Sequence, residues 1–438
     1  MAQEAAKVGI LAGGGSLPIE VADGLAKRQC AYHVVGFEGF VDADVSRHPH
    51  TLVNLGQLGR VLRTFRRQQC ADLVILGTLA RPDLTKLRLD FGAFQHAFSV
   101  LQLTRGGDDH LLRGVVRFFE GQGFRVRGVG DLVPELLAPL GAIAGASPDQ
   151  QQHAAIAVAR AALADLSHLD LGQAVVASSD GIDAFEDGGG TARMLARLAS
   201  AGGAAPGSVL VKLAKIGQEL RVDAPTIGAA TVAQAAAAGL TTIAVGAGTT
   251  LVAERAALDD AARAHGVSVV GVPSLHQDQD SQTGNPRDPD HRYLADDLDT
   301  ARTIAAACAR HARPGYRDIG IVVRRGHVMA VMIDALAEDH WARRLTSLPR
   351  GWQIPVLLPR RAGVLLIALT AADRRTTMSA WAQIIDAART AGLAQIAIDI
   401  RCDQHAVDVG NDAPDVDAIR HKARAVGLAF THMNASPP

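Results

Sequence analysis

Between residues 209 and 228 the chain reads VLVKLAKIGQELRVDAPTIG, and the polar residues in it are of kinds that handle phosphate. Lys212, Lys215 and Arg221 supply cations able to hold phosphate oxygens. Asp223 supplies a carboxylate able to bind a metal ion or take a proton from water. Gln218 adds an amide among them. These residues follow Val209-Leu210-Val211, an apolar β-branched run that predicts a buried strand. Gly217-Gln218 predicts a turn, and Pro225 and Gly228 close the segment. A solvated loop with a surface ion pair is the plainer reading of the same letters, and the local sequence leaves both open.

Other residues of comparable chemistry lie upstream. KVGILA at 7–12 runs directly into Gly13-Gly14-Gly15-Ser16-Leu17-Pro18, which predicts strand, glycine loop and helix. Such a loop lets backbone approach a phosphate at a helix N-terminus. Pro18 stands where the last glycine of GxGxxG would be, and the Lys-Ser/Thr of a P-loop is missing, so a tight turn without ligand is the competing reading. Glu38, at the tip of a predicted second strand, can bind ribose hydroxyls or simply be solvated. Arg81, before Pro82 and after the predicted strand 72–77, can meet a phosphate or a sugar, or start a helix. Asp108 and Asp109, beside Gly106-Gly107, can approach a divalent cation or sugar hydroxyls, and Asp108 can cap the next helix. Glu186-Asp187-Gly188-Gly189-Gly190-Thr191 forms a polar glycine loop ahead of a helix at 192–200.

The elements that must position these residues alternate strand and helix. This predicts an α/β chain: a Rossmann-like N-terminal domain with a mostly parallel sheet at 1–135, and a second α/β domain at 150–272. Residues 134–150 form the boundary between them. Residues 273–299 are polar and read as a linker. Residues 300–438 read as a degenerate copy of the second domain. Asp170-Leu171-Gly172 returns as Asp318-Ile319-Gly320, Gly239-Leu240 as Gly392-Leu393, and Ala262–Val267 as Ala423–Leu428. Opposite 209–223 stands VLLIALTAADRRTT, without lysines, so the copy is expected to keep a core and lose the chemistry.

Bulk composition narrows the function. The chain has 438 residues, of which 48% are hydrophobic, enough for substantial cores. A net charge of −1 and 4% aromatic residues argue against nucleic acid as a partner. The 16 His show no zinc spacing, and Cys30, Cys70, Cys308 and Cys402 are far apart, as free thiols of a reducing cytoplasm would be. The N-terminus does not read as a signal peptide, and the longest apolar run, 363–369, is strand-sized.

GILAGGGSLPIEVA at 9–22, LGQLGRVLR at 55–63, Arg81-Pro82, RGGDDHLLR at 105–113, LVPELLAP at 132–139, LGQAVV at 171–176, the 209–228 stretch and AAAAGLTTIAV at 235–245 together resemble the LpxI family, the UDP-2,3-diacylglucosamine pyrophosphatases of lipid A biosynthesis. The resemblance covers residues 7–272. It implies a cytoplasmic enzyme, peripheral to the inner membrane, that acts on a lipid-linked nucleotide sugar. The reaction it implies is hydrolysis to UMP and 2,3-diacylglucosamine 1-phosphate with Mg²⁺, by water attack at the phosphorus nearer the uridine. It implies that Asp223 is the catalytic aspartate, there to orient water or hold the metal, with Lys212, Lys215, Gln218 and Arg221 around it. Gly13, Gly14, Gly15, Ser16, Glu38, Arg81, Asp108, Asp109 and Thr191 would then contact substrate. The oligomeric state stays open, a homo-oligomer included.

Three departures separate the chain from the family pattern. Gly246 stands where the family has Glu, Ala192 where it has Asp, and residues 300–438 are additional. The two lost carboxylates leave a second reading open, a non-catalytic relative that binds nucleotide sugar or lipid X. A nicotinamide-dependent oxidoreductase would rest on the first glycine loop and Glu38 alone.

Overall fold

The structure is a computed structural model. It describes residues 6–78, 108–167 and 172–275 and, beyond these, 301, 304–305, 308, 310–311, 319–324, 327–333, 364–370, 384–386, 388, 395–401, 416–425 and 429–434. Two compact units divide the chain. One comprises 1–147 with 216–233 and 244–282, the other 148–215 with 234–243 and 283–438. Both are discontinuous, whereas the sequence predicted consecutive domains. Among the described residues no helix is long and apolar enough to cross a membrane.

The first unit is built on a parallel sheet of five strands: β1 (Lys7–Ala12), β2 (Tyr32–Phe37), β3 (His50–Val53), β4 (Cys70–Leu76) and β5 (Arg125–Val126), in the order β3-β2-β1-β4-β5. Helices α1 (Leu17–Lys27), α2 (Leu58–Arg67) and α3 (Asp108–Gly121) alternate with them, followed by the single turn α4 (Val129–Leu132). Alternation along β1 explains the two cores. Val8, Ile10 and Ala12 enter one cluster with Ile19, Val21 and Leu25 of α1. Leu11 enters the other with Val61, Leu62 and Phe65 of α2 and Phe119 of α3. At Gly9 a Cβ would lie 2.5 Å from Leu73 and 2.7 Å from the Phe65 ring, so the strand can carry only hydrogen there.

The passage expected to be an irregular boundary contains β6 (Gly141–Ala144), which pairs antiparallel with β13 (Ser268–Val272). Its small, partly exposed residues gave no strand pattern. In the second unit, α5 (Gln150–Leu166) opens on a capping box: Asp149 accepts from the Gln152 amide at 2.8 Å, and Gln152 Oε1 accepts from the Asp149 N–H at 2.9 Å. Then come the hairpin β7 (Ala174–Ser178) and β8 (Gly181–Phe185), α6 (Gly190–Ser200), and β9 (Val209–Lys212), which pairs antiparallel with β7. The sequence showed only a turn where β8 begins. β10 (Thr226–Ile227) pairs parallel with β12 (Leu251–Val252). α7 (Ala229–Ala237), β11 (Thr242–Gly246) and α8 (Arg255–His265) complete the first 272 residues.

The C-terminal third holds a second five-stranded sheet, ordered β15-β14-β16-β17-β18, from β14 (Ile319–Arg324), β15 (His327–Ile333), β16 (Val364–Thr370), β17 (Gln395–Arg401) and β18 (Ala429–Asn434). The β14 pairs are antiparallel, and β16, β17 and β18 run parallel. α9 (Val416–Ala425) precedes the last strand. Most of the predicted linker, 276–299, lies outside the described residues.

Candidate active site

β9 is wholly buried and ends on Lys212, which is only 8% exposed. An ammonium cannot be taken out of water without an anion near it. The anion is Glu186, also 8% exposed, one residue beyond β8. Its Oε2 accepts from the Gln173 amide at 3.1 Å, and the Thr191 hydroxyl donates to it from the first turn of α6. Burial raises the Glu186 carboxyl above its ordinary range, while Lys212 first and Lys215 more weakly pull it back. In the second unit, then, Lys212, Lys215 and Thr191 gather on one carboxylate. Next to it, Asp187 is held by Arg197 at 2.8 Å and by the Gly189 amide at 2.9 Å, which shapes the glycine loop. The sequence showed that loop but did not single out Glu186 as the acid beside Lys212. The signal was the adjacent acid pair before three glycines.

In the first unit the 216–228 segment is a compact turn. Gly217 takes φ +79, and its carbonyl accepts from Arg113 of α3 at 2.7 Å. Gln218 is 8% exposed, and its Nε2 donates at 2.7 Å to both the backbone carbonyl and Oδ2 of Asp223. Val222 packs into one core cluster of the parallel sheet and Ala224 into the other, so Asp223 is fixed where the chain passes from one face to the other. Beyond it, the Leu251 N–H donates to Pro225 O and the Ala253 N–H to Ile227 O, which tie the exit of the turn to β12.

Arg221 serves differently. Its guanidinium is bidentate to Glu219, at 2.8 Å for both bonds, and reaches Glu120 of α3 at 2.7 Å. These bonds raise its pKa and hold Glu219 below its usual range. Arg221 therefore bridges the turn to α3, and its charge is met by two carboxylates. Within 209–228, Glu219 is held by the Arg221 guanidinium, and Asp223 accepts from the Gln218 amide.

The N-terminal glycine loop is closed rather than open. Gly13 N donates to Leu76 O, and Gly14 exchanges both backbone bonds with Thr78. A Cβ at Gly13 would sit 2.7 Å from Thr78 O, so glycine is required by this close approach. The amides of Gly13 and Gly14 are thus taken by Leu76 and Thr78; Gly15, at φ +97, has open space beside it. Ser16 donates to Glu20 at 2.8 Å, and Glu20 in turn accepts from the Glu254 amide at 2.9 Å. Glu38 is exposed at the end of β2, as its position predicted. Arg81 lies outside the described residues, and so do the side chains of Asp108 and Asp109. Both aspartates are already helical in α3, so Asp108 is not the residue before the helix.

Among the described residues no three His, Cys, Asp or Glu side chains gather to hold a metal. Mg²⁺ that serves phosphates commonly takes one or two carboxylates and completes its shell with water and phosphate oxygens. Asp223, an anion oriented by a neutral amide, fits that smaller demand. At the positions where family acids are replaced, Gly246 ends β11 and its carbonyl accepts from Thr250 N at 3.0 Å, while Ala192 is exposed in the first turn of α6.

Two family profiles match the chain in sequence: the LpxI N-terminal domain over residues 7–136 and the LpxI C-terminal domain over 139–270. A protein of Caulobacter vibrioides named UDP-2,3-diacylglucosamine pyrophosphatase LpxI is 36% identical over 272 residues, which is 61% of this chain and 97% of that protein. Order, extent and identity agree, and the chain belongs to the LpxI family.

Proposed function

We propose that this chain hydrolyses the pyrophosphate bond of UDP-2,3-diacylglucosamine, releasing UMP and 2,3-diacylglucosamine 1-phosphate. The observation that carries this reading is the Gln218-held Asp223, in a chain that spans 97% of a relative named for that reaction. Water adds to the phosphorus nearer the uridine, the bridging P–O bond breaks, and the sugar phosphate leaves with the electron pair. Lys212 and Lys215 offset the charge that grows on the phosphate oxygens. Glu186 offsets the charge of the buried Lys212, and Thr191 orients Glu186. Gln218 fixes the Asp223 carboxylate, which would hold Mg²⁺; the bound ion would neutralise phosphate charge and polarise the attacked phosphorus. The acyl chains keep the substrate in the bilayer, so the enzyme works as a peripheral protein at the cytoplasmic face of the inner membrane.

The test is UMP release from UDP-2,3-diacylglucosamine with Mg²⁺ and with EDTA, for the full chain and for Asp223→Ala. The expected result is metal-dependent release that the substitution lowers by about 100-fold or more. Release that ignores EDTA and the substitution, or no release by the intact chain, overturns the reading.

A further inference from the structure

The C-terminal sheet repeats β7, β8 and β9 in register. Ser178 pairs with Gly181 across the turn of the first hairpin, and Arg324 with His327 across the turn of the second. The first ladder slips between Val176 and Ala177, the second between Val322 and Val323. Turn and slip are each displaced by the same 146 residues, from Gly181 to His327 and from Val176 to Val322. The third strand follows suit. Val211 faces Val175 and Val209 faces Ala177, while Leu366 faces Ile321 and Val364 faces Val323. Downstream, Ile243-Ala244-Val245 of β11 returns as Ile396-Ala397-Ile398 of β17. The likeness of Asp170-Leu171-Gly172 to Asp318-Ile319-Gly320 runs two residues out of this register, so the hairpins, not that tripeptide, define the correspondence.

The same displacement extends back into the helices. It carries Ala155, Ala159 and Ala162, buried on α5, onto Ala301, Ala305 and Cys308, which are helical and buried as well. It also carries Asp165 onto His311, and these two side chains touch each other: His311 Nε2 lies 2.9 Å from Asp165 Oδ2. Arg310, the neighbour of His311, donates to the same oxygen at 3.3 Å. β8 lies against β15, its own counterpart. A contact in which matching elements meet each other, and a residue meets its own equivalent, is the mark of a two-fold relation. The chemistry is one-sided. In the register of the repeat, Lys212 corresponds to Ile367, which is fully buried, and Glu186 to Met332.

We propose that the second unit is an internal pseudo-dimer: residues 301–434 are a second copy of the α5–β13 region, packed on the first about a quasi-two-fold axis at Asp165 and His311. The occupant of the face formed by α5 and β8 is therefore the chain's own second copy, in the place a second protomer would take. Only the first copy retains the lysine and its carboxylate.

The test uses the full chain with Asp165→Cys and His311→Cys, treated with a short bis-maleimide and analysed by peptide mass spectrometry and sedimentation. A bridge from 165 to 311 within one 45.8-kDa chain is expected. A bridge that joins two chains, or none between these positions, overturns the proposal. Without cysteines, Asp165→Ala and His311→Ala should each lower Tm, and the double variant should lose no more than the larger single loss. Additive losses would mean the two residues are not partners. None of these readouts involves turnover, so failure of the proposed reaction leaves them standing.

Discussion

At the residue scale, the site is a set of charges whose environments differ. Lys212 and Glu186 are both buried, and the cost of removing Glu186 from water exceeds what the lysines return, because its carboxyl stays raised. A folded state that binds this proton more tightly than the unfolded chain loses stability as pH rises from the ordinary carboxyl value through the raised one. Glu186→Gln removes that slope. Its Tm, relative to the parent, should climb between pH 4.5 and 8 while UMP release falls; a constant Tm difference across that range would mean Glu186 is not the group concerned. The lysines and Asp223 were conspicuous in the sequence as charged residues at the end of an apolar strand. Glu186 was not, since its partner Lys212 lies on the far side of β7, and only the hairpin brings that loop alongside β9.

At the element scale, the turn that bears Asp223 is held by bonds to α3. Glu219 is kept below its ordinary carboxyl value first by its hydrogen bonds to Arg221. That stabilisation is fully present above the unfolded value near 4.5 and disappears as pH falls through the lowered folded value. Arg221→Gln should therefore destabilise at pH 7 by at most about 1 kcal/mol, because the guanidinium is 37% exposed, and the difference should vanish in acid. Urea unfolding at pH 7 and pH 3 measures both; an equal loss at the two values would locate the effect elsewhere. The sequence left Arg221 open between a phosphate ligand and a surface ion pair. What it could not show is Glu120, a hundred residues away on α3, which the fold alone brings to the guanidinium. Gly13 and Gly14 are demanded by Thr78, just past the end of β4, a close approach that only tertiary structure reveals.

At the scale of the whole molecule, two thiols report on the two units separately. Burial pushes Cys70 up to about 11 and Cys308 up to about 12, whereas Cys30 is partly exposed. A thiol reagent at pH 8 should label Cys30 promptly, and Cys70 and Cys308 only as each unit opens. Site-resolved mass spectrometry reads the rates; prompt labelling of all three would mean that neither core is closed. The parallel sheet was legible from β-branched runs separated by helical periodicity. The sequence offered scattered short likenesses between 300–438 and the second domain, but no register for them, because a tripeptide likeness two residues out of step looks as good as any other until strands are paired. The ladder irregularities opposite Val176 and Val322 each come from one extra residue, Asp183 in β8 and Met329 in β15, and these strands form one border of their sheets. Such irregularities increase local twist and pin alignment, which makes a border strand a poor template for strangers. At β8 and β15, which lie against each other, the chain thus meets itself along two borders that are ill-suited to recruit a foreign strand.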